Sequence, residues 1–180
     1  MNRKILFYCV AGFIFVGVLG SLSHFFYVWS GENFLVALVC PVNESTWEHM
    51  KLLFFPVILY TLFFTYRCKE YTMVADAMLL GNILGTACIP VLFYTYSGVY
   101  GNHVSFLDIG IFFISVFVVF YLAYQWIEEG SNFNKQHCRG LVYCQVEKYK
   151  RILFVVNFIL AISFFIFTFF PPAWGIFQEP

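Results

Sequence analysis

Ser45-Thr-Trp-Glu-His-Met-Lys-Leu-Leu-Phe-Phe-Pro-Val-Ile-Leu-Tyr-Thr-Leu-Phe-Phe-Thr-Tyr66 changes character at Lys51. Up to that residue the string is polar and ionisable. From Leu52 to Phe64 it carries no charge. A run of this kind reads as a helix crossing a bilayer, for which roughly 20 apolar residues suffice. Ionisable groups at the edge of such a helix cost free energy unless they are paired or hydrated, so they call for an explanation.

The rest of the chain extends this reading. Of 180 residues, 61% are hydrophobic and 11% charged, with 25 Phe. A soluble domain is nearer a quarter charged. The expectation is therefore an all-α, polytopic membrane helix bundle forming a single domain over residues 1–180. Spans are expected near 4–29, 45–66, 71–96, 105–126 and 150–170, with Pro90 bending the third and Pro171-Pro172 ending the fifth. Residues 34–42 are too short to cross and read as an interfacial or re-entrant piece. Residues 127–149 read as a cytoplasmic loop. Residues 5–27 are too long for the apolar core of a cleavable signal and lack a small-residue cleavage site. The formal net charge of zero argues against a nucleic-acid partner. The bilayer is the partner that composition requires.

Charge bias suggests the direction. With the N-terminus in the cytoplasm, Arg3, Lys4, Arg67, Lys69, Lys135, Arg139, Lys148, Lys150 and Arg151 all fall inside. Only Lys51, of the ten basic residues, falls outside. The C-terminal tail then lies outside, where it reads equally as a lid over the polar end or as an aromatic interfacial anchor. Cys9, Cys68, Cys138 and Cys144 fall toward the cytoplasm, Cys88 within the third helix and Cys40 outside. This distribution offers no pair for a disulfide framework and fits a bacterial cell membrane.

The same topology collects the candidate binding residues at the outer end: His24, Glu44, Glu48, His49, Lys51, His103 and Asp108, with Glu32 and Glu179 nearby. Ser45-Thr-Trp-Glu48 matches a capping box, in which the Ser hydroxyl and the Glu carboxylate satisfy each other's backbone N–H groups. Glu44 and Glu48 also suit the positive end of a helix dipole, a gain of roughly 0.3–1 kcal/mol each. Capping leaves Lys51 unexplained. At helical spacing Glu44, Glu48 and Lys51 share one stripe. That stripe either pairs its charges or lines a wet cavity where Lys51, snorkelling toward water, attracts an anion.

His49 is offset from Glu48 by about 100° around the helix, so the two do not chelate one ion, and H-E-x-x-H is absent. A metal site needs His24 and His49, or His103 with Asp108, brought together by packing; such ligands suit zinc or manganese. His137-Cys138 with Cys144 has the composition of a zinc site without its spacing. Ser21 and His24, one turn apart, invite comparison with a hydroxyl nucleophile and its base, for which Ser23 is a further candidate and Glu44 or Asp108 the orienting carboxylate. Ala77, Gly81 and Gly85 recur every fourth residue and present a helix-packing face. That face would also serve self-association or entry into a larger membrane assembly. Asn82 is placed to bond across helices, and Asp76 to pair with Arg67 or Lys69.

The strings His24-Phe-Phe-Tyr-Val-Trp-Ser-Gly31, Pro41-Val-Asn-Glu-Ser-Thr-Trp-Glu-His-Met-Lys-Leu52 and the terminal Pro-Pro-x-x-Gly-Ile-Phe-Gln-Glu-Pro resemble a family of small bacterial integral membrane proteins. That family occurs mainly in clostridia and related Gram-positive bacteria under a domain-of-unknown-function label. The resemblance covers most of the chain. It implies a multi-helix membrane fold and no activity, substrate or catalytic residue. Three roles then compete: binding or helping to move a small polar solute or ion, a membrane-embedded metal-dependent hydrolase, and a structural or accessory subunit. The absence of a complete catalytic set favours the first.

Overall fold

The computed structural model describes residues 2–71, 73–133 and 149–179. Lys135, Arg139, His137, Cys138, Cys144 and Lys148 lie outside the described residues. The helices are α1 (Arg3–Trp29), α2 (Phe34–Val39), α3 (Thr46–Arg67), α4 (Val74–Tyr100), α5 (Ser105–Phe133) and α6 (Lys150–Phe169), followed by a 3-10 turn at Gly175–Phe177. Five of them, α1, α3, α4, α5 and α6, are long and apolar enough to cross a membrane. Among the described residues there is no strand.

The boundaries follow local chemistry. Asn2, Asn33 and Ser45 cap α1, α2 and α3 with side-chain oxygens that accept backbone N–H groups. α4 ends at Gly101, whose φ of 80° no β-carbon hinders, so it runs to Tyr100 rather than stopping near Tyr96. α5 continues past Trp126 to Phe133, because Gln125, Glu128 and Glu129 are adequate helix formers once the apolar run ends. The start of the expected cytoplasmic loop is therefore helical. Gly31 and Glu32 both adopt positive φ, 68° and 61°, and turn the chain from α1 into α2. Pro56 and Pro90 sit inside α3 and α4.

The five long helices alternate in direction. One end of the bundle thus gathers the C-terminal ends of α1, α4 and α6 with the starts of α3 and α5, and α2 packs there against α6. The other end holds Arg3, Lys4, Arg67, Lys69, Lys150 and Arg151. There Lys4 donates to Glu70, Arg67 to the Tyr8 hydroxyl, and Lys69 lies over the Tyr66 ring. Asp76 is buried and faces Lys150 at 3.6 Å, not Arg67 or Lys69. The first turn of α4 faces the start of α6, which packs on α4.

Small residues set the helix spacing. A β-carbon on Gly85 would fall 2.2 Å from Val119 Cγ2, and one on Gly81 2.9 Å from the Val119 carbonyl oxygen. Ala77 is fully buried. The Ala77-Gly81-Gly85 face is therefore filled by this chain's own α5 and is not free for a second copy. In an apolar solvent, where hydrophobic contrast is weak, such close backbone approach is what holds helices together. Deeper in the bundle Asn82 donates to Asn157 at 2.9 Å, and Asn157 in turn donates to the carbonyls of Leu79 and Leu153. This ties α4 to α6.

Gly20 makes the matching approach between α1 and α3. A β-carbon there would lie 2.5 Å from the Leu52 carbonyl oxygen, a backbone atom that cannot swing aside. Gly20→Ala is expected to lower the thermal unfolding midpoint of the purified protein, at an overpacking cost of about 1–3 kcal/mol. Gly98→Ala, within α4 where nothing lies within 4 Å, is expected not to lower it in the same melt.

Candidate functional site

The start of α3 divides the sequence-predicted residues into two groups. Adjacent positions on a helix diverge by about 100°, so Glu48 and His49 point different ways. Glu48 turns into the bundle with Lys51. His49 turns toward α1.

The inward group is closed from water. Lys51 is fully buried and the Glu48 side chain is 3% exposed. Lys51 Nζ donates to Glu48 Oε2 at 2.7 Å, to the Ala37 carbonyl at 3.0 Å and to Thr168 Oγ1. Three donors thus meet three acceptors, on α3, α2 and α6. Glu48 Oε2 also accepts the Val42 N–H at 3.0 Å, and Glu48 Oε1 lies 3.0 Å from Thr168 Oγ1. Lys51 therefore neither snorkels to water nor presents its charge to a solute. α2 and the end of α6 cover the route its stem would take. The capping box is half made: Ser45 Oγ accepts the Glu48 N–H at 3.4 Å, but the Ser45 N–H donates to Asn43 Oδ1. The Glu48 carboxylate is engaged by Lys51 and Val42 instead. Burial pushes the neighbouring Cys40 thiol above its ordinary range, and the Lys51 charge opposes this in part.

The tail seals this region. Phe177 packs on Trp47 with ring centroids 4.9 Å apart, and Phe167 meets Phe177 edge-on. Phe34 of α2 stacks on Phe169 of α6. The segment after Pro171-Pro172 therefore folds back over the first turn of α3, while Trp174 stays 71% exposed.

The outward group comes from three segments. Glu44 precedes the helix, since Ser45 is its cap. The helical stripe of Glu44, Glu48 and Lys51 accordingly does not form, and Glu44 turns away from the buried pair. Its Oε2 lies 3.5 Å from His24 Nε2 and 3.3 Å from His49 Nε2. One ligand atom from each of the three residues lies within 4.8 Å of the others. The two imidazoles stand edge to face, centroids 5.3 Å apart. The Gly20–Leu52 crossing produces this meeting: one turn beyond Gly20 is His24, and one turn before Leu52 is His49. His49 Nδ1 lies 3.0 Å from the Ser45 carbonyl oxygen. A carbonyl only accepts, so Nδ1 carries the hydrogen and Nε2 faces Glu44. All three side chains reach solvent, at 33%, 61% and 30% exposure for His24, Glu44 and His49.

His103 and Asp108 form a separate pair. His103 Nδ1 lies 3.6 Å from Asp108 Oδ2. Tyr96 donates to Asp108 Oδ1 and accepts the Val104 N–H, so the pair closes the α4–α5 connection. The serine nucleophile is not assembled. Ser21 Oγ donates to the Gly17 carbonyl and Ser23 Oγ to the Gly20 carbonyl, each within its own helix. Sequence reading passed over Thr168, Ala37 and Asn157. A hydroxyl or carbonyl in an apolar helix carries no signal of its partner until the helices are packed.

Breaking a buried ion pair leaves an uncompensated charge, at about 3–5 kcal/mol, whereas replacing both partners with apolar groups is far milder. Lys51→Met and Glu48→Leu alone are each expected to destabilise the protein by that order. The double variant is expected to recover most of the loss in a double-mutant cycle read by thermal melting.

No curated protein and no solved structure matches the chain. A family model does match, over residues 2–180. The chain belongs to that family, described as a family of unknown function (DUF6512).

Proposed function

We propose that this protein is a multi-pass protein of the cell membrane whose polar end binds a small cation, as a receptor for that ion or as a step in its movement. The observation that carries the reading is the convergence of Glu44 with His24 and His49 around one carboxylate oxygen. Any anion-binding role depended on Lys51, and its ammonium is consumed by Glu48, Ala37 and Thr168. The solvent-facing cluster holds a carboxylate and two imidazoles and includes no Lys or Arg. Its chemistry is that of an electron-pair donor. The basic residues at the opposite end of the bundle favour an outward orientation for this end by the positive-inside rule.

The structural reading is favoured for the other half of the polar residues. Glu48–Lys51–Thr168 and Asp108–Tyr96–His103 have their groups engaged within the protein. The metal-dependent hydrolase reading loses one of its four expected residues, because Glu48 is buried and held by Lys51 and the Val42 N–H; the serine nucleophile loses its hydroxyls to backbone carbonyls.

Isothermal titration of the purified chain in detergent tests the proposal against a panel of mono- and divalent cations and against phosphate and acetate. A cation is expected to bind and to lose at least tenfold in affinity in Glu44→Gln, which keeps the shape and removes the charge. Binding of the anions alone, or cation binding indifferent to Glu44→Gln, would overturn it.

A further inference from the structure

The cluster has a finer geometry than a general cation site requires. Two of its edges, 3.5 Å from His24 Nε2 and 3.3 Å from His49 Nε2 to the same Glu44 oxygen, are longer than good hydrogen bonds, and the third is within 4.8 Å. The first two match another spacing. Zinc binds imidazole nitrogen and carboxylate oxygen at about 2.0–2.2 Å, so tetrahedral ligands around it lie about 3.3–3.6 Å apart.

The orientation of His49 is a second, independent observation. Its Nδ1–H is committed to the Ser45 carbonyl at 3.0 Å. Metal-ligating histidines almost always make this bond with the nitrogen that does not touch the metal, which fixes the ring and leaves the other nitrogen's electron pair directed at the ion. The other ring nitrogen, Nε2, faces the Glu44 carboxylate at 3.3 Å. The Ser45 carbonyl is held in turn by the helix start, where it also accepts the His49 N–H at 3.1 Å. The ring is thus anchored to the first turn of α3.

Resting on the cation reading above, we propose that the ion is a transition-metal dication of the zinc class, ligated by His24 Nε2, His49 Nε2 and Glu44, with Ser45 as the positioning residue for His49. Two imidazoles and a carboxylate discriminate against calcium and magnesium, which take oxygen ligands, six or more for calcium. Three protein ligands on an exposed rim leave the fourth tetrahedral position to water or to an incoming ligand, the open type of zinc site. All three side chains reach solvent, so water has access to the cluster.

The test uses the full chain in detergent after stripping with a chelator. It is titrated with zinc, with calcium, and with cobalt as a coloured substitute whose visible absorption is intense only in tetrahedral surroundings. One zinc per chain is expected, with the cobalt band appearing at the same stoichiometry and bleached by zinc. His24→Ala, His49→Ala and Glu44→Gln are each expected to weaken zinc by at least tenfold, and His103→Ala to leave it unchanged. Glu44→Gln changes an exposed residue before the helix. With an unaltered melting curve for metal-free protein, it separates ligand loss from misfolding. Binding of calcium or a monovalent cation with no zinc binding would sink this assignment and leave the cation reading standing. Zinc bound equally well by the three variants would refute the ligand set. Failure of every cation to bind removes both.

Discussion

A single ammonium group, on Lys51, organises the polar end of this bundle. In a low-dielectric interior an unpaired charge is among the most unfavourable groups a chain can bury. The fold resolves this by bringing three acceptors to it from separate elements: a carboxylate on α3, a backbone carbonyl on α2 and a hydroxyl on α6. None of these contacts is independent of the others. Moving α2 would orphan one donor of Lys51, and moving α6 would remove both Thr168 and the Phe169 ring on which Phe34 stacks. The demand that one buried cation be satisfied therefore specifies where a short apolar helix, α2, and the end of a long one, α6, must sit.

The same turn of backbone serves two surfaces. Ser45 caps α3 with its hydroxyl, orients Glu48 toward Lys51 through the helix it starts, and offers its carbonyl to His49. Glu44, just before the cap, leaves the helix geometry and turns to the imidazoles. A rigid interior clamp thus supports an exposed three-residue cluster. Catalytic and binding groups need such support if they are to be held in one geometry. The partner imidazole depends on a different constraint, the absence of a side chain at Gly20, which lets α1 approach the Leu52 carbonyl closely enough for His24 to reach His49.

The two ends of the bundle use charge differently. At the basic end the side chains are exposed and make single contacts: Lys4 with Glu70, Arg67 with Tyr8 and Lys69 with Tyr66. The Lys4 hydrogen bond holds the Glu70 carboxyl below its usual range. Such exposed pairs contribute little to stability. Asp76, facing Lys150 from a buried position, comes nearer the enclosure seen around Glu48.

Much of this protein is written along the chain. Runs of apolar residues long enough to cross a bilayer, broken by short polar stretches, determine an all-helical bundle with five candidate spans. Ser45 before Thr-Trp-Glu marks the start of α3, and the four-residue recurrence of Ala77, Gly81 and Gly85 marks a face against which another helix packs. These are local properties, set by hydropathy and by helical period, and they need no knowledge of neighbours. Tertiary structure alone decided which helix fills that face, that Asp76 meets Lys150, that Lys51 is sealed rather than hydrated, and that Glu44 joins His24 and His49 while His103 and Asp108 stay apart. Each of those outcomes joins residues distant in sequence. Periodicity says which way a side chain points from its own helix axis, but the identity of the atom it meets is a property of how the helices cross.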